Sequence, residues 1–424
     1  MSFNQRLNEI RAGFERSFWI ANITELFERL AYYGTTAVLA IYLHENLKLS
    51  VGQTGTLMGI FGFVVWFLPV LGGTLADRFG FRRALMFAYA VMTVGYFLLG
   101  SLSAPWMEPF RSAGDLKWLV GAILMVPALG PGLVKPCVAG TTARASNENV
   151  RSIGYSIYYT LVNVGGFVGP IVASLVRQSI GIEFVFRLAA LSVFLMFWVT
   201  FFFYHEPGRA TEIQVTSRGS AISNMFVVLG NARFVVFLIV YSGYWVLFWQ
   251  EYVSLPLFIR GYINPKANVD ALLSIDALTV ICFQIVVSLL TKRIATFGAL
   301  TLGIFVSSVA WVPLALHPAV STAAAALAVV ALGEIIQSPR YYEYVSKLAP
   351  PGQQGLYMGY AFLPIAIGYF GAGALGGYLL HQFGDIQKRP PLMWYVIVGV
   401  GMLTALLMWI YNLIAKPADY GEHA

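Results

Sequence analysis

The sequence predicts an all-α polytopic membrane protein with twelve transmembrane helices, arranged as two bundles of six. Three observations support this prediction. Of the 424 residues, 58% are hydrophobic and 11% are charged, whereas about 25% of the residues in a soluble domain are charged. Long hydrophobic runs alternate with short polar joints along the whole chain. The longest joint, residues 205–231, separates six of these runs from the other six.

Each hydrophobic run is long enough to cross a bilayer, which takes roughly 20 residues of helix. The layout predicts an N-terminal bundle over residues 1–204, a cytoplasmic linker over 205–231 and a C-terminal bundle over 232–424. The twelve predicted spans lie near residues 18–43, 51–75, 83–104, 116–140, 151–176, 184–204, 232–259, 269–290, 297–316, 320–346, 353–381 and 391–414.

The basic residues predict the orientation. Most arginines and lysines outside the spans fall in joints on the side of the N-terminus, and the positive-inside rule makes that side the cytoplasm. We therefore expect a multi-pass protein of the inner (cell) membrane with both termini in the cytoplasm. The net charge of +7 follows from this topology, so no nucleic-acid partner is expected.

The sequence lacks the residue patterns that an enzyme site needs. Its five histidines lie in joints or tails, and Cys137 and Cys282 lie inside apolar runs, which argues against a metal site or a disulfide framework. We expect no enzymatic activity, no metal and no cofactor. A receptor that does not transport is a further alternative, but it would usually carry a larger soluble domain.

The first span carries three charges in its interior. In the stretch ELFERLAYYG, offsets of three and four residues place Glu25, Glu28 and Arg29 on one helical face. A charge costs at least ~2.5–3.5 kcal/mol at the centre of a lipid-exposed helix. The charged face is therefore predicted to meet protein or line a water-filled pathway. In the alternative interpretation, the helix begins near Leu30 and the charges lie in water on an amphipathic lead-in.

Lys135 of the fourth span is predicted to join these charges. Counted from the cytoplasmic ends of their spans, Lys135 and the first-span charges differ in depth by at most about 9 Å, at roughly 1.5 Å per residue. Lys135 can therefore pair with Glu25 or Glu28, which leaves Arg29 for the other acid. The four charges sum to zero, as expected of a buried cluster whose members are ionised. Such a cluster is either a static network or a proton-coupling device in which protonation breaks a pair.

The joint after the second span, GGTLADRFGFRR, resembles the loop motif of the major facilitator superfamily. Gly72 and Gly73 permit close helix packing, and Asp77 can cap the helix that follows. The arginines hold the joint in the cytoplasm, which topology alone would explain. We predict that Asp77 and Arg78 take part in a gating contact.

Four stretches, in order, resemble motifs of the proton-dependent oligopeptide transporter family. ELFERLAYYG is similar to its first-helix motif, GPGLVKPCVAG to its fourth, YYTLVNVGGFVGP to its fifth and GEIIQSP to its tenth. The resemblance implies alternating access around a site near the membrane midplane. It also implies that Lys135 is a functional lysine and that Asn163 contacts substrate. Tyr32 and Tyr33 match the first-helix motif and lie next to the charged face of that helix, so they are further substrate candidates. Glu334 falls on the acid of the tenth helix.

Acids of the C-terminal half are further candidates. Glu334 lies near mid-membrane and can bind a substrate amine or carry a proton, and Glu251 can be aligned with the family's seventh-helix acid. Arg340 and Glu343, three residues apart, are predicted to pair as an inner gate or as a surface pair. Asp276 is a weaker candidate, because it lies near enough to the outer face to be solvated.

The chain departs from the family pattern where the family recognises peptides. Thr36 stands where the family typically has an arginine that helps to recognise the peptide carboxylate. Trp66 replaces a second-helix tyrosine, and Ala361 lies at or beside the position of an eleventh-helix tryptophan. The linker is too short for the two extra helices of many bacterial members. The proton machinery is thus retained better than the peptide pocket.

We therefore expect a proton-coupled symporter of di- or tripeptides or peptide-like small molecules. The alternative is a proton-driven exporter or uniporter of another amphipathic compound on the same fold. The expected partners are a small-molecule substrate and the lipid bilayer, and the expected oligomeric state is a monomer. The candidate residues are Glu25, Glu28, Arg29, Lys135, Glu251 and Glu334 for proton coupling; Tyr32, Tyr33, Thr36, Trp66, Asn163 and Glu334 for substrate; and Asp77, Arg78, Arg340 and Glu343 for gating.

Overall fold

The computed structural model describes residues 13–207, 228–348 and 354–415. Helices follow one another throughout these residues, and no strand is formed among them. The predicted all-α fold class is confirmed.

Eleven segments of the described chain are long and apolar enough to span a membrane. The first helix, Arg16–Ile41, is a twelfth segment that carries charges in its interior. Its 26 residues extend for about 39 Å at 1.5 Å per residue, which exceeds the ~30 Å hydrocarbon core. The eleven others are Val51–Gly72, Phe81–Leu99, Leu116–Arg144, Ile153–Ser179, Glu183–Phe203, Ala232–Val253, Val269–Thr291, Thr296–Leu316, Val320–Leu348, Tyr357–Ile386 and Leu392–Ile414. We number the twelve spans in chain order.

The chain divides into two compact units. The first unit comprises Met1–Thr35 and Leu71–Gly219, and the second comprises Thr36–Val70 and Ser220–Ala424. The boundaries predicted from the sequence, 1–204, 205–231 and 232–424, stay a prediction, and residues 208–227 of the joint lie outside the described part.

Several spans consist of more than one helix. In chain order, the helices of the first half are Arg16–Ile41, Val51–Phe79, Phe81–Leu99, Glu108–Ser112, Leu116–Ala128, Pro131–Arg144, Arg151–Ser179 and Glu183–Phe203. Those of the second half are Ala232–Phe248, Gln250–Val253, Leu255–Phe258, Val269–Leu272, Ser274–Thr291, Thr296–Val309, Val312–Leu316, Val320–Leu348, Gln354–Tyr360, Leu363–Leu379 and Leu392–Ala415. Wider π-helical turns lie at Tyr42–Asn46, Ile259–Ile263 and Leu380–Ile386.

The fourth span is broken in its middle. Its first helix ends at Ala128 and its second begins at Pro131. A proline lacks the N–H that continues a helix and restricts the residue before it, so it is tolerated at a helix start. The break places Lys135 one turn into the second helix of the span.

The first and fifth spans cross closely through glycine in the first unit. A Cβ on Gly165 would lie 2.5 Å from the Cβ of Arg29, and a Cβ on Gly169 would lie 2.8 Å from the carbonyl oxygen of Leu30. Small residues four apart allow helix backbones to approach in this way. The glycines therefore hold the charged face of the first span against the protein.

The third span begins with a cap from the end of the sixth. The Glu206 carboxylate accepts hydrogen bonds from the backbone N–H groups of Phe81 at 2.7 Å and Arg82 at 3.0 Å. These are the otherwise unpaired donors of a helix N-terminus. The sequence predicts Asp77 as the cap of this helix, but the side chain of Asp77 lies outside the described residues, and the described cap is Glu206.

Candidate functional site

Three charges of the first span are buried inside the first unit. Glu25, Glu28 and Arg29 are each 0% exposed. The Nε and Nη2 atoms of Arg29 both lie 2.5 Å from Oε2 of Glu28, whereas Nε lies 3.3 Å from Oε1 of Glu25. The helix begins at Arg16, well before the charges. The alternative interpretation, in which the helix begins near Leu30 and the charges lie in water, is therefore wrong.

Lys135 joins these three charges. It is half-buried, and its charge interacts through space with those of Glu25, Glu28 and Arg29. The structure thus brings together the four residues that the sequence grouped. It differs in one detail, because Arg29 contacts both acids instead of leaving one of them to Lys135 alone. The reason is local, since the offset of four residues places Glu25 beside Arg29, and the long side chain of Arg29 also reaches the adjacent Glu28.

Three substrate candidates lie in the first unit. Tyr32 is buried, and its ring lies 5.1 Å from the guanidinium carbon of Arg29. Tyr33 is half-buried, with its ring centroid 5.3 Å from that of Tyr32. Asn163 is half-buried and donates from Nδ2 to the carbonyl of Tyr159 at 2.9 Å. This bond uses one of the two N–H donors of the Asn163 amide, so the side-chain oxygen and the second N–H remain suited to a ligand.

Thr36 and Trp66 belong to the second unit, and both are buried. The Trp66 ring packs at 5.8 Å from Trp249 and at 6.2 Å from Phe362 between ring centroids. A tryptophan packed in this way is a large, rigid aromatic surface. The role of Trp66 in substrate binding stays a prediction.

Three candidate acids lie in the second unit. Glu251 is 1% exposed and Asp276 is 9% exposed, while Glu334 is half-buried. The charges of Asp276 and Glu334 both act on Glu251. The expectation that Asp276 is solvated is wrong. The eighth span begins at Val269, as predicted, so Asp276 lies about two turns inside it. Its side chain is covered because the span packs against the rest of the unit.

The structure describes the side chains of three of the four predicted gating residues, Arg78, Arg340 and Glu343. Arg340 Nη1 lies 3.1 Å from Glu343 Oε2, so the predicted pair is present. Glu343 also contacts Lys347 at 2.7 Å, and Arg340 donates to the carbonyl of Lys292 at 3.2 Å. Their role as a gate stays a prediction. Arg78 is exposed, and the side chain of Asp77 lies outside the described residues.

One ion pair of the second unit is not predicted by the sequence patterns. Arg260 donates from Nε to Glu45 Oε1 at 2.6 Å and from Nη2 to Oε2 at 2.8 Å. Such two-pronged contacts are the stronger kind of ion pair. Each partner lies in a π-helical turn, and such turns often occur at functional sites. The available signal was Arg260 itself, a basic residue on the less basic side of the membrane.

Comparison with known proteins places the chain in a family. The sequence model of the Major Facilitator Superfamily matches residues 22–370. The chain belongs to this superfamily. Its relatives include Multidrug resistance protein MdtH of Photorhabdus laumondii, 24% identical over 378 residues, covering 88% of this chain and 89% of that protein. Another is MdtH of Salmonella arizonae, 22% identical over 394 residues, covering 92% and 93%.

Solved structures agree on the fold of this superfamily member. A peptide transporter POT in complex with sulfate is similar with a TM-score of 0.75 at 18% identity, over 94% of each chain. A POT family transporter in complex with 5-aminolevulinic acid gives 0.75 at 18% identity, over 94% of this chain and 96% of that one. These likenesses show the fold alone.

Membership of the superfamily establishes the general activity. The protein is a polytopic membrane transporter of a small-molecule substrate, and it is not an enzyme. Among the described residues, no group of three or more His, Cys, Asp or Glu side chains could hold a metal ion.

Proposed function

We propose that this superfamily member is a proton-coupled secondary transporter that works by alternating access. The observation that carries the proposal is the buried cluster of the first unit. Two carboxylates, one guanidinium group and one ammonium group interact there, and both carboxylates are 0% exposed. Removing one charge from such a balanced group leaves another uncompensated in a medium that solvates it poorly. A proton arriving at an acid would therefore rearrange the pairs.

Glu25 is the acid best suited to carry this proton. The Nε and Nη2 atoms of Arg29 both lie 2.5 Å from a carboxylate oxygen of Glu28. Glu25 lies farther from Arg29, at 3.3 Å, and neither of its oxygens accepts a hydrogen bond within the described residues. Neutralising Glu25 thus breaks the weaker contact. Arg29 then remains with Glu28, and Lys135 loses one of the two acids that act on it.

Peptide symport is the first form of the proposal. It is supported by the four ordered motif resemblances, and the similar solved structures include transporters named for peptides. In this form, protonation on the outer side of the membrane favours substrate binding. Release into the cytoplasm follows when Arg29 and Lys135 recapture their acids. Glu251 and Glu334 are further candidates for the proton path.

Proton-driven export of another amphipathic compound is the second form. Two observations favour it. The relatives that match almost the whole length of the chain are named as multidrug resistance proteins. Thr36 stands where an arginine would help to recognise a peptide carboxylate. The cluster of the first unit serves either direction, because coupling requires only that protonation and substrate binding favour different conformations.

Transport by purified protein in liposomes tests the proposal. The probes are radiolabelled alanyl-alanine and the cationic dye ethidium, each with a proton gradient imposed inward or outward. Peptide symport predicts faster alanyl-alanine uptake when the outside is acidic. Export by exchange predicts ethidium accumulation when the inside is acidic. In either form, Glu25→Gln and Lys135→Ala should abolish the effect of the gradient.

The matched control is Glu148→Gln, which removes an exposed carboxylate from the same unit. It should respond to the gradient like the unmodified protein. Exchange of substrate without a gradient shows that the variants still fold and bind. Proton coupling is refuted if Glu25→Gln and Lys135→Ala both transport with an undiminished response to the gradient.

A further inference from the structure

A short backbone bridge in the first unit joins the segment before the first span to the joint after the fourth. Phe14 lies opposite Ser146 in an antiparallel pair. Two backbone hydrogen bonds of 2.9 Å each hold this pair: Glu15 N–H to the Ala145 carbonyl, and Asn147 N–H to the Gly13 carbonyl. The first span begins directly after the bridge, and the second helix of the fourth span ends directly before it. The bridge therefore fastens the ends of these two helices to each other.

Aromatic packing covers the bridge. The Phe14 ring stacks on Phe18 with the ring centroids 4.1 Å apart. Both rings are buried in one cluster with Ala145 and Val150. A Cβ on Gly154 of the fifth span would lie 3.0 Å from the Phe14 ring, so the fifth span also packs tightly against it. Two buried aromatic rings make the bridge a packed contact of the unit.

The bridge sets two buried charges at the same depth. Glu25 lies ten residues after Glu15 on the first helix, and Lys135 lies ten residues before Ala145 on the second helix of the fourth span. At about 1.5 Å per residue, each charge lies about 15 Å along its helix from the bridge. A slip of one residue in either helix would move its charge by about 1.5 Å and turn it by about 100° around the helix axis.

We infer that this bridge is a positioning element for proton coupling: it keeps Lys135 level with Glu25, so that a proton on the acid acts on the lysine. The interaction between two charges depends on their separation, and Glu25 and Lys135 lie on helices that are far apart in the chain. Phe14 and Asn147 hold no proton and act through the register of the two helices. The inference rests on the proposed proton coupling and adds residues that none of the motifs marks.

A proline at position 147 removes one hydrogen bond of the bridge. Asn147 has φ −63°, close to the value that a proline ring imposes, and proline has no N–H to donate. The Asn147 side chain is exposed and caps no helix. Asn147→Ala is the matched control, because alanine keeps the N–H. In liposomes, Asn147→Pro should lower the stimulation of transport by the proton gradient about two- to tenfold relative to Asn147→Ala, the weight of one hydrogen bond in an equilibrium.

Exchange of substrate without a gradient separates positioning from folding. The probe is alanyl-alanine or ethidium, whichever the unmodified protein transports in response to the gradient. A variant that folds less well loses exchange and gradient response in equal proportion, whereas a slip of Lys135 against Glu25 lowers the response alone. If Asn147→Pro and Asn147→Ala respond alike, positioning is rejected and the coupling proposal stands. An unmodified protein that ignores the gradient would reject both.

A reversible disulfide gives the converse experiment. Phe14 and Ser146 are a pair without mutual hydrogen bonds, and the Cα atoms of such pairs lie about 4.5 Å apart, within the range of a disulfide. In a Cys282→Ser background, Phe14→Cys/Ser146→Cys should respond weakly when reduced, because the Phe14 ring is lost, and regain the response on oxidation.

The control for the disulfide is Ser146→Cys alone, which cannot form this link and should not change on oxidation. Transport that stops in the oxidised double variant would show that the two helix ends separate during the cycle, and would overturn the inference. An oxidised form that responds no better than the reduced form would also overturn it.

Discussion

Arg29 holds two buried acids at once, and its guanidinium group is suited to this task. It is planar and presents several N–H groups, so it can contact Glu28 and Glu25 together. A buried ion pair contributes little net stability compared with an apolar pair, but the loss of one partner costs a great deal, because the remaining charge is left uncompensated. The cluster therefore makes the fold depend on each of its members.

Arg29→Ala should destabilise the protein strongly. It leaves Glu25 and Glu28 buried with Lys135 as the remaining basic neighbour in the described cluster, and breaking a buried pair costs about 3–5 kcal/mol. The measurement is thermal unfolding in detergent. Arg111→Ala is the matched control, because Arg111 lies outside the buried cluster and pairs with the exposed Glu108, and ion pairs at the surface contribute at most about 1 kcal/mol. Equal unfolding temperatures for the two variants would contradict the burial of the cluster.

At the scale of helices, glycine determines how closely spans pack. In the second unit, the second span crosses the eleventh with glycines on both sides. A Cβ on Gly55 would collide with the carbonyl oxygen of Gly373 and lie 2.9 Å from the Cα of Gly377. A Cβ on Gly59 would lie 2.9 Å from the carbonyl oxygen of Phe370. Backbone cannot move aside as a flexible side chain can, so these contacts require the absence of a side chain.

Gly55→Ala should therefore lower the stability of the protein by about 1–3 kcal/mol, the usual cost of overpacking. Gly399→Ala is the matched control in the same unit, because nothing lies within 4 Å of a Cβ built there. This substitution should be neutral or stabilising by up to about 1 kcal/mol, since alanine has a higher helix propensity than glycine. Both are read from thermal unfolding. A Gly55→Ala protein as stable as Gly399→Ala would show that the two helices do not cross here.

At the scale of the whole molecule, the spans and the distribution of basic residues predict the orientation. Gly114 lies in the joint between the third and fourth spans, and Arg293 lies in the joint between the eighth and ninth. With the N-terminus in the cytoplasm, counting spans places Gly114 on the outer side of the membrane and Arg293 on the cytoplasmic side. The positive-inside rule supports this orientation.

Labelling of single cysteines in intact cells checks this orientation. In a Cys282→Ser background, Gly114→Cys should react with a membrane-impermeant maleimide, whereas Arg293→Cys should react only after the cells are opened. Both positions are exposed, so reactivity reports the side of the membrane. Cys137 is buried. The Cys282→Ser protein without an added cysteine measures any labelling of Cys137. The reverse pattern would place the termini outside the cytoplasm.

The number of spans and the charged face of the first helix could be predicted without a structure. Both are local properties, because a run of about 20 apolar residues defines a span and the helical period fixes which side chains share a face. The motif resemblances added Lys135, and the depths of the residues along their helices supported its meeting with Glu25 and Glu28. Superfamily membership then confirmed the fold class.

The folded structure was needed to see how the polar groups are paired. It showed that Arg29 holds Glu28 more closely than Glu25, that Asp276 is buried, and that Glu45 meets Arg260 across 215 residues of chain. Hydrophobicity and periodicity describe where a helix lies and which face is polar. They do not describe which distant side chain faces it, because such contacts depend on helix breaks, crossings and rotations that arise only when the spans pack together.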